Sequence, residues 1–160
     1  MTLRSAALLV LVLVLGGAHA AAAADIRLSS AWLRPAPMGA TAKVYVDIAA
    51  SEPLTLMRVT TPVARSVEIR IVARTDGSDE GDVVKTQAIA AHAKTRFAYL
   101  GNHLRLVGVN RDLGNGTSVP LTLEFTDAAG RTQIATFDAS VRGLQPPRAA
   151  TLAEAIDAGK

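Results

Sequence analysis

Two stretches of period-two alternation constrain this chain more than anything else in it. Val67-Glu68-Ile69-Arg70-Ile71 and Gly101-Asn102-His103-Leu104-Arg105-Leu106 set apolar against polar residues at alternate positions, the pattern of a strand with one buried face. On that period Val67, Ile69, Ile71, Leu104 and Leu106 turn to a core, and Arg70, His103 and Arg105 turn outward. Elsewhere Leu121, Leu123 and Phe125 share one face, as do Phe137, Ala139 and Val141, with Thr122, Glu124, Asp138 and Ser140 opposite. A one-residue slip would expose every one of those apolar sets. Strands are expected at 26–33, 43–48, 54–59, 67–73, 83–89, 95–99, 104–109, 118–125 and 132–141. Between them lie turn-forming segments such as Pro35-Ala36-Pro37, Ser51-Glu52-Pro53, Gly114-Asn115-Gly116 and Asp127-Ala128-Ala129-Gly130. Short strands at this spacing predict an all-β antiparallel sandwich or barrel. Only 4% of residues are aromatic, so the core must be mostly Val, Leu, Ile and Ala, with Trp32, Tyr45, Phe97, Tyr99, Phe125 and Phe137 as its few large pieces.

The ends differ in character from this body. Met1-Thr2-Leu3-Arg4, an apolar run through Leu15 and the small residues ending in Ala18-His19-Ala20 make residues 1–24 a secretory signal peptide, cleaved after Ala20 or Ala24. Its apolar core is far shorter than the roughly 20 residues that span a bilayer, and no second such stretch follows, so no transmembrane anchor is expected after cleavage. The predicted location is outside the cytoplasm. Residues 25–142 form the folded domain and 143–160 a tail. In that tail Thr151 and Glu154 fit a capping box for a short helix.

Loss of Arg4 with the leader lowers the formal charge of +3 by one. With no basic run, that argues against nucleic acid as a partner. The chain has no cysteine, which removes thiolate metal sites and thiol catalysis. Neither Gly-x-Ser-x-Gly nor His-Glu-x-x-His occurs, and an enzyme is not expected. Asp76, Asp79, Glu80 and Asp82 form an acidic turn whose spacing does not match an EF-hand. Asn115-Gly116-Thr117 reads as turn chemistry rather than a sugar acceptor.

In order along the chain come Ala31-Trp32-Leu33-Arg34-Pro35 with Gly39-Ala40, then Thr61-Pro62-Val63-Ala64 leading into Val67-Glu68-Ile69. His103-Leu104, Leu106-Val107-Gly108 and Val119-Pro120-Leu121-Thr122-Leu123 follow. This series resembles the periplasmic copper chaperones of the PCuAC type. The resemblance implies a cupredoxin-like β-sandwich, located in the periplasm, that carries Cu(I) on Met and His side chains. It also implies a periplasmic or membrane-protein partner in copper delivery, within cytochrome oxidase assembly. Soft Cu(I) prefers thioether and imidazole ligands, and His-x-Met on a strand points both side chains to one side.

The ligand positions the resemblance implies fall at Arg70, near Gly81, at His103 and at Arg105, and only His103 can bind a metal. Two guanidiniums on that face would repel a cation. His103 and Met38, the latter reaching in from the loop after Trp32, are therefore the candidate copper ligands. His92 reads as a turn residue and Met57 as packing. The alternative is a non-metal interaction module, with Arg70 and Arg105 beside His103 as an anion or partner-docking patch, since guanidinium forks suit carboxylates and phosphates. Ion pairing of Arg70 and Arg105 with Glu68 or Asp82 is the plainer expectation for the same residues.

Overall fold

The computed structural model describes residues 23–72 and 80–143, and every described element is a strand. They are β1 (Ile26–Leu33), β2 (Ala42–Ala50), β3 (Leu54–Thr60), β4 (Ala64–Ile71), β5 (Asp82–Val84), β6 (Gln87–Ile89), β7 (Lys94–Phe97), β8 (His103–Val109), β9 (Ser118–Asp127) and β10 (Thr132–Val141). The first and last match the expected bounds, and the others shift by a few residues at their ends. Residues 1–22 of the expected signal peptide, the capping-box residues Thr151 and Glu154, and Asp76 and Asp79 of the acidic turn lie outside the described residues.

The strands form one curled sheet in the order β5-β4-β8-β2-β1-β10-β9-β3-β6, with β7 also on β2. Curling brings the inner faces together over Leu33, Val44, Ile48, Leu56, Ile89, Phe97, Leu104, Leu106, Leu121, Leu123 and Phe125. This is the predicted all-β sandwich, close to a closed barrel. Burial of these side chains is the main favourable term, at about 1.5–3 kcal/mol for each large one.

Two departures from simple alternation matter. The single strand expected over 83–89 breaks at Lys85-Thr86. Its first part pairs β4 at one sheet edge and its second pairs β3 at the other. Each short piece covers the unpaired backbone groups of an edge, and together they bring the sheet close to closure. In β1 the register shifts between Ser29 and Trp32, with Ser30 at φ 55°. That bulge returns Leu33 to the core and turns Trp32 outward.

The aromatic assignment needs correcting as a result. Phe97 and Phe125 are buried in the core and Phe137 packs partly against it. Tyr45 is buried as expected, but on the outer side of β2, where it joins half-buried Trp32 and exposed Tyr99 in a chain of ring contacts, Trp32 to Tyr45 at 4.6 Å and Tyr45 to Tyr99 at 6.0 Å between centroids. The Arg142 guanidinium lies 5.2 Å over the Trp32 ring, within cation–π range.

Candidate functional site

The site is the outer face of β4, β8 and β2, where strand register decides which side chains meet. Arg70 lies opposite His103, Glu68 opposite Arg105, and Lys43 opposite Arg105 on the other side. Both adjacent rows therefore carry charge across the middle of the face. The turn into β5 closes over this end of the strands: Ile71 pairs Asp82, and Gly81 sits at φ 65° hard against the Ile71 carbonyl.

Arg70, Gly81, His103 and Arg105 are thus neighbours in space, as the resemblance implies, but the two arginines are held by hydrogen bonds and by ion pairs to Glu68 and Glu80. The Arg70 Nε and Nη2 both donate to the Glu68 carboxylate, at 3.0 and 2.7 Å, and its Nη1 donates to the Gly81 carbonyl at 3.0 Å. This side chain is only 16% exposed, so the fork is spent inside the protein. Glu80 receives both Lys43 and Arg105, each at 3.1 Å. The expected Arg70–Glu68 pair is present, whereas Arg105 takes Glu80 rather than Asp82. A docking patch made of Arg70 and Arg105 would first have to break these pairs.

His103 departs most from a wet strand face. It keeps the outer side of β8, since Leu104 beside it points into the core, yet it is 1% exposed. The turn before β8 accounts for this: Gly101 N donates to Ala98 O, the turn places Tyr99 and Leu100 beside the imidazole, and Gly101 O contacts His103 Nδ1 at 2.9 Å. A carbonyl oxygen can only accept, so Nδ1 carries the proton in that bond. Burial is the main influence on this imidazole and lowers its pKa below the ordinary histidine value. The Gly101 bond and Glu80 work the other way, and Lys43 and Arg70 reinforce the lowering. The neutral ring leaves a lone pair on Nε2, and that atom is buried with no hydrogen-bond partner.

The other candidates lie elsewhere. Met38 is 67% exposed, its amide held by Asp112, and Gly39 donates to Val109 O at the far end of β8 from His103. Six residues of strand separate those ends, roughly 20 Å at ~3.3 Å per residue, so Met38 and His103 are not brought together. His92 has φ 54° in the turn before β7 and bonds Ala50 O, at the opposite end of β2 from Lys43. Met57 occupies the β3 bulge and is partly exposed. Among the described residues no group of three His, Cys, Asp or Glu side chains is placed to hold a metal.

What sequence reasoning missed is a cavity of about 300 Å³ beside His103. It is lined by Arg34, Pro35 and Ala36 of the arm after β1, by Lys43 and Tyr45 of β2, and by Tyr99 and Leu100. The signal for it was Trp32-Leu33-Arg34-Pro35, whose proline ends β1 and sends the arm over the outer face.

The family model described as "Putative lipoprotein LpqE-like" matches residues 26–137. This chain belongs to the LpqE-like family. Among curated proteins there is no match. Solved structures are similar. The apo PmoF2 PCuAC domain is 25% identical with a TM-score of 0.59, over 78% of this chain and 94% of that one. The copper-bound PmoF2 PCuAC domain is 26% identical with a TM-score of 0.57, over 74% and 92%. The Cu(I) form of DR1885 from Deinococcus radiodurans, at 23% identity and a TM-score of 0.55 over 79% and 83%, shares the fold. The resemblance to PCuAC proteins read from the sequence is borne out, and with it the cupredoxin-like β fold. No helix among the described residues is long and apolar enough to cross a membrane.

Proposed function

We propose that this LpqE-like protein is a non-enzymatic, copper-chaperone-like binding protein of the periplasm whose outer face does not carry Cu(I) in the way of its PCuAC relatives. The observation that carries this is the ion pairing of Arg70 with Glu68 and of Arg105 with Glu80, with Arg70 also donating to the Gly81 carbonyl. Guanidinium groups have no lone pair to offer a cation, and here they fill the positions where the resemblance expects soft ligands. The copper-bound PmoF2 domain supports a copper ancestry for the fold, and the donor set of this chain argues against a complete site. The signal peptide supports export, and the absence of a basic run argues against nucleic acid.

A second reading has its own observation. The His103 Nδ1 is fixed by Gly101 O and its Nε2 lone pair is bare, which is how a metal-bound imidazole is held in place. On that reading His103 anchors a copper site on the protein itself, in the family's role of Cu(I) carriage to cytochrome oxidase assembly. A competitive Cu(I) titration of the protein from Asp25 onward, with His103→Ala and Met38→Ala beside it, separates the two. The first reading expects no stoichiometric binding by the isolated protein. Tight one-to-one binding that His103→Ala abolishes would overturn it.

A further inference from the structure

We infer that the chain's own C-terminal segment, residues 149–158, folds back as a short helix and seats Leu152 and Ile156 on the outer apolar strip that runs from Trp32 to Leu100. The receiving surface is continuous. Tyr99 is 44% exposed and Leu100 65%, side by side on a wall they share with Tyr45, Pro35 and Ala36. The ring contacts from Tyr99 through Tyr45 to Trp32 carry that surface across β2 and β1 as far as Arg142. A strip of this kind marks an interaction surface, as a single exposed apolar side chain does not.

The point where the chain leaves β10 favours one occupant. Arg142 N donates to Leu33 O and Gly143 N to Asn115 Oδ1, so the chain emerges beside the end of β1, at the same end as the arm Arg34-Pro35-Ala36. Leu33 in turn pairs Val44, whose neighbours Lys43 and Tyr45 are part of the same wall. The strip therefore lies within two strand spacings of the exit, about 10 Å at ~4.8 Å each. Residues 144–148 contain Pro146-Pro147, a stiff extended spacer, and at ~3.1 Å per residue they reach about 15 Å.

The sequence beyond that spacer matches the strip. With Thr151 and Glu154 as a capping box, Leu152 and Ile156 are four apart on one helix face with Ala155 beside them, and Glu154 and Asp157 fall on the other. Arg34 and Arg142 border the strip, both exposed and neither paired with a carboxylate among the described residues, so the charges are complementary across the contact. So short a helix is marginal alone in water and needs a surface to hold it. The tether raises the effective concentration to the order of millimolar, which favours the chain's own segment over a second copy.

The chain has no cysteine, so Ala158→Cys, on the helix face away from Leu152 and Ile156, carries a nitroxide with no competing thiol. In NMR spectra of the chain from Asp25 onward, the nitroxide should broaden the amides of Arg34, Tyr99 and Leu100. It should leave Ala129 and Gly130, at the opposite end of β10, sharp. Adding Leu152→Asp with Ile156→Asp should restore the broadened signals. Leu100→Asn, which suits φ 61° and so spares the turn, should weaken the broadening. Sharp Tyr99 and Leu100 signals in the nitroxide-bearing chain, or broadening that survives the two aspartates, would overturn the proposal. So would the same broadening in a mixture where isotope and nitroxide are on different molecules, which would assign the strip to a second copy. No copper enters the experiment, so its outcome is independent of the Cu(I) titration.

Discussion

The two faces of β8 follow opposite rules. Inward, Leu104 and Leu106 are fully buried among aliphatic neighbours, and any apolar side chain of similar volume would serve. Outward, His103 and Arg105 sit in the same register but meet an orphan cavity wall on one side and an ion pair on the other. The inner face holds the fold and tolerates little loss of volume. The outer face keeps its geometry whichever residues occupy it, so its chemistry is free to differ from that of a copper carrier. The sharpest break of this comparison is Leu104→Ala against Arg105→Ala. The first should cost about 2–5 kcal/mol in urea unfolding through a core cavity, and the second no more than about 1 kcal/mol because its pair with Glu80 is partly solvated. Equal losses would mean that the outer pairs, not the core, hold the sheet.

Next in size is the turn that joins the faces. A Cβ on Gly81 would lie 2.7 Å from the Ile71 carbonyl oxygen, and the residue has φ 65°. Gly81→Ala should therefore destabilise by about 1–3 kcal/mol, since both the backbone angle and a rigid neighbour resist it. It should also loosen the carbonyl that Arg70 uses. Gly114→Ala is the control, with nothing within 4 Å and no positive φ. Should the two variants unfold alike, the clamp of the 80–82 turn on β4 is not part of the site.

Alternation made the inner face legible, because Leu121, Leu123 and Phe125, or Leu104 and Leu106, can satisfy period two in only one register. It also placed Arg70, His103 and Arg105 on one outer surface. It could not reveal that the surface is roofed. Burial of His103 depends on the Tyr99-Leu100 turn and on the arm of Arg34 to Ala36 folding across from another strand, contacts set by tertiary packing rather than by local pattern. The bulge at Ser30 was illegible for the same reason, and with it the outward turn of Trp32. Glu80 was visible only as part of an acidic turn. That it would reach both Lys43 and Arg105 follows from the split of the 83–89 segment, which no local signal announced.

The roof over His103 gives the outer face a pH signature that an open strand would lack. Its folded pKa lies below the ordinary value, so the unfolded chain binds the proton more readily. Stability should then be complete above the ordinary histidine range near 6.5 and should fall as pH drops through the window beneath it. The groups facing the ring are Lys43 and Arg70, which deepen the lowering, and Glu80 and the Gly101 carbonyl, which oppose it. Urea midpoints of the wild type and His103→Gln across pH 5 to 7.5 would test this, with NMR of the imidazole as the direct reading. A midpoint independent of pH, or a ring that titrates at or above the ordinary value, would show that His103 is open to water.

The smallest effect tests how the ion pairs work. Lys43 and Arg105 are direct partners across β2 and β8, two like charges held opposite each other, a pairing that is unfavourable unless something lies between. Glu80 contacts both at 3.1 Å from an exposed position, its side chain 51% accessible. Solvent screening keeps its net contribution to about 0–1 kcal/mol, so the sign of its salt dependence says more than its size. In the wild type, raising the ionic strength screens attraction and should lower stability slightly. In Glu80→Gln the repulsion between Lys43 and Arg105 is what salt screens, at a Debye length that falls from about 10 Å at 0.1 M to about 3 Å at 1 M. The variant should therefore gain stability with sodium chloride where the wild type loses it. Parallel salt curves would mean that Glu80 bridges nothing in solution, and the outer face would then be a row of separately solvated charges.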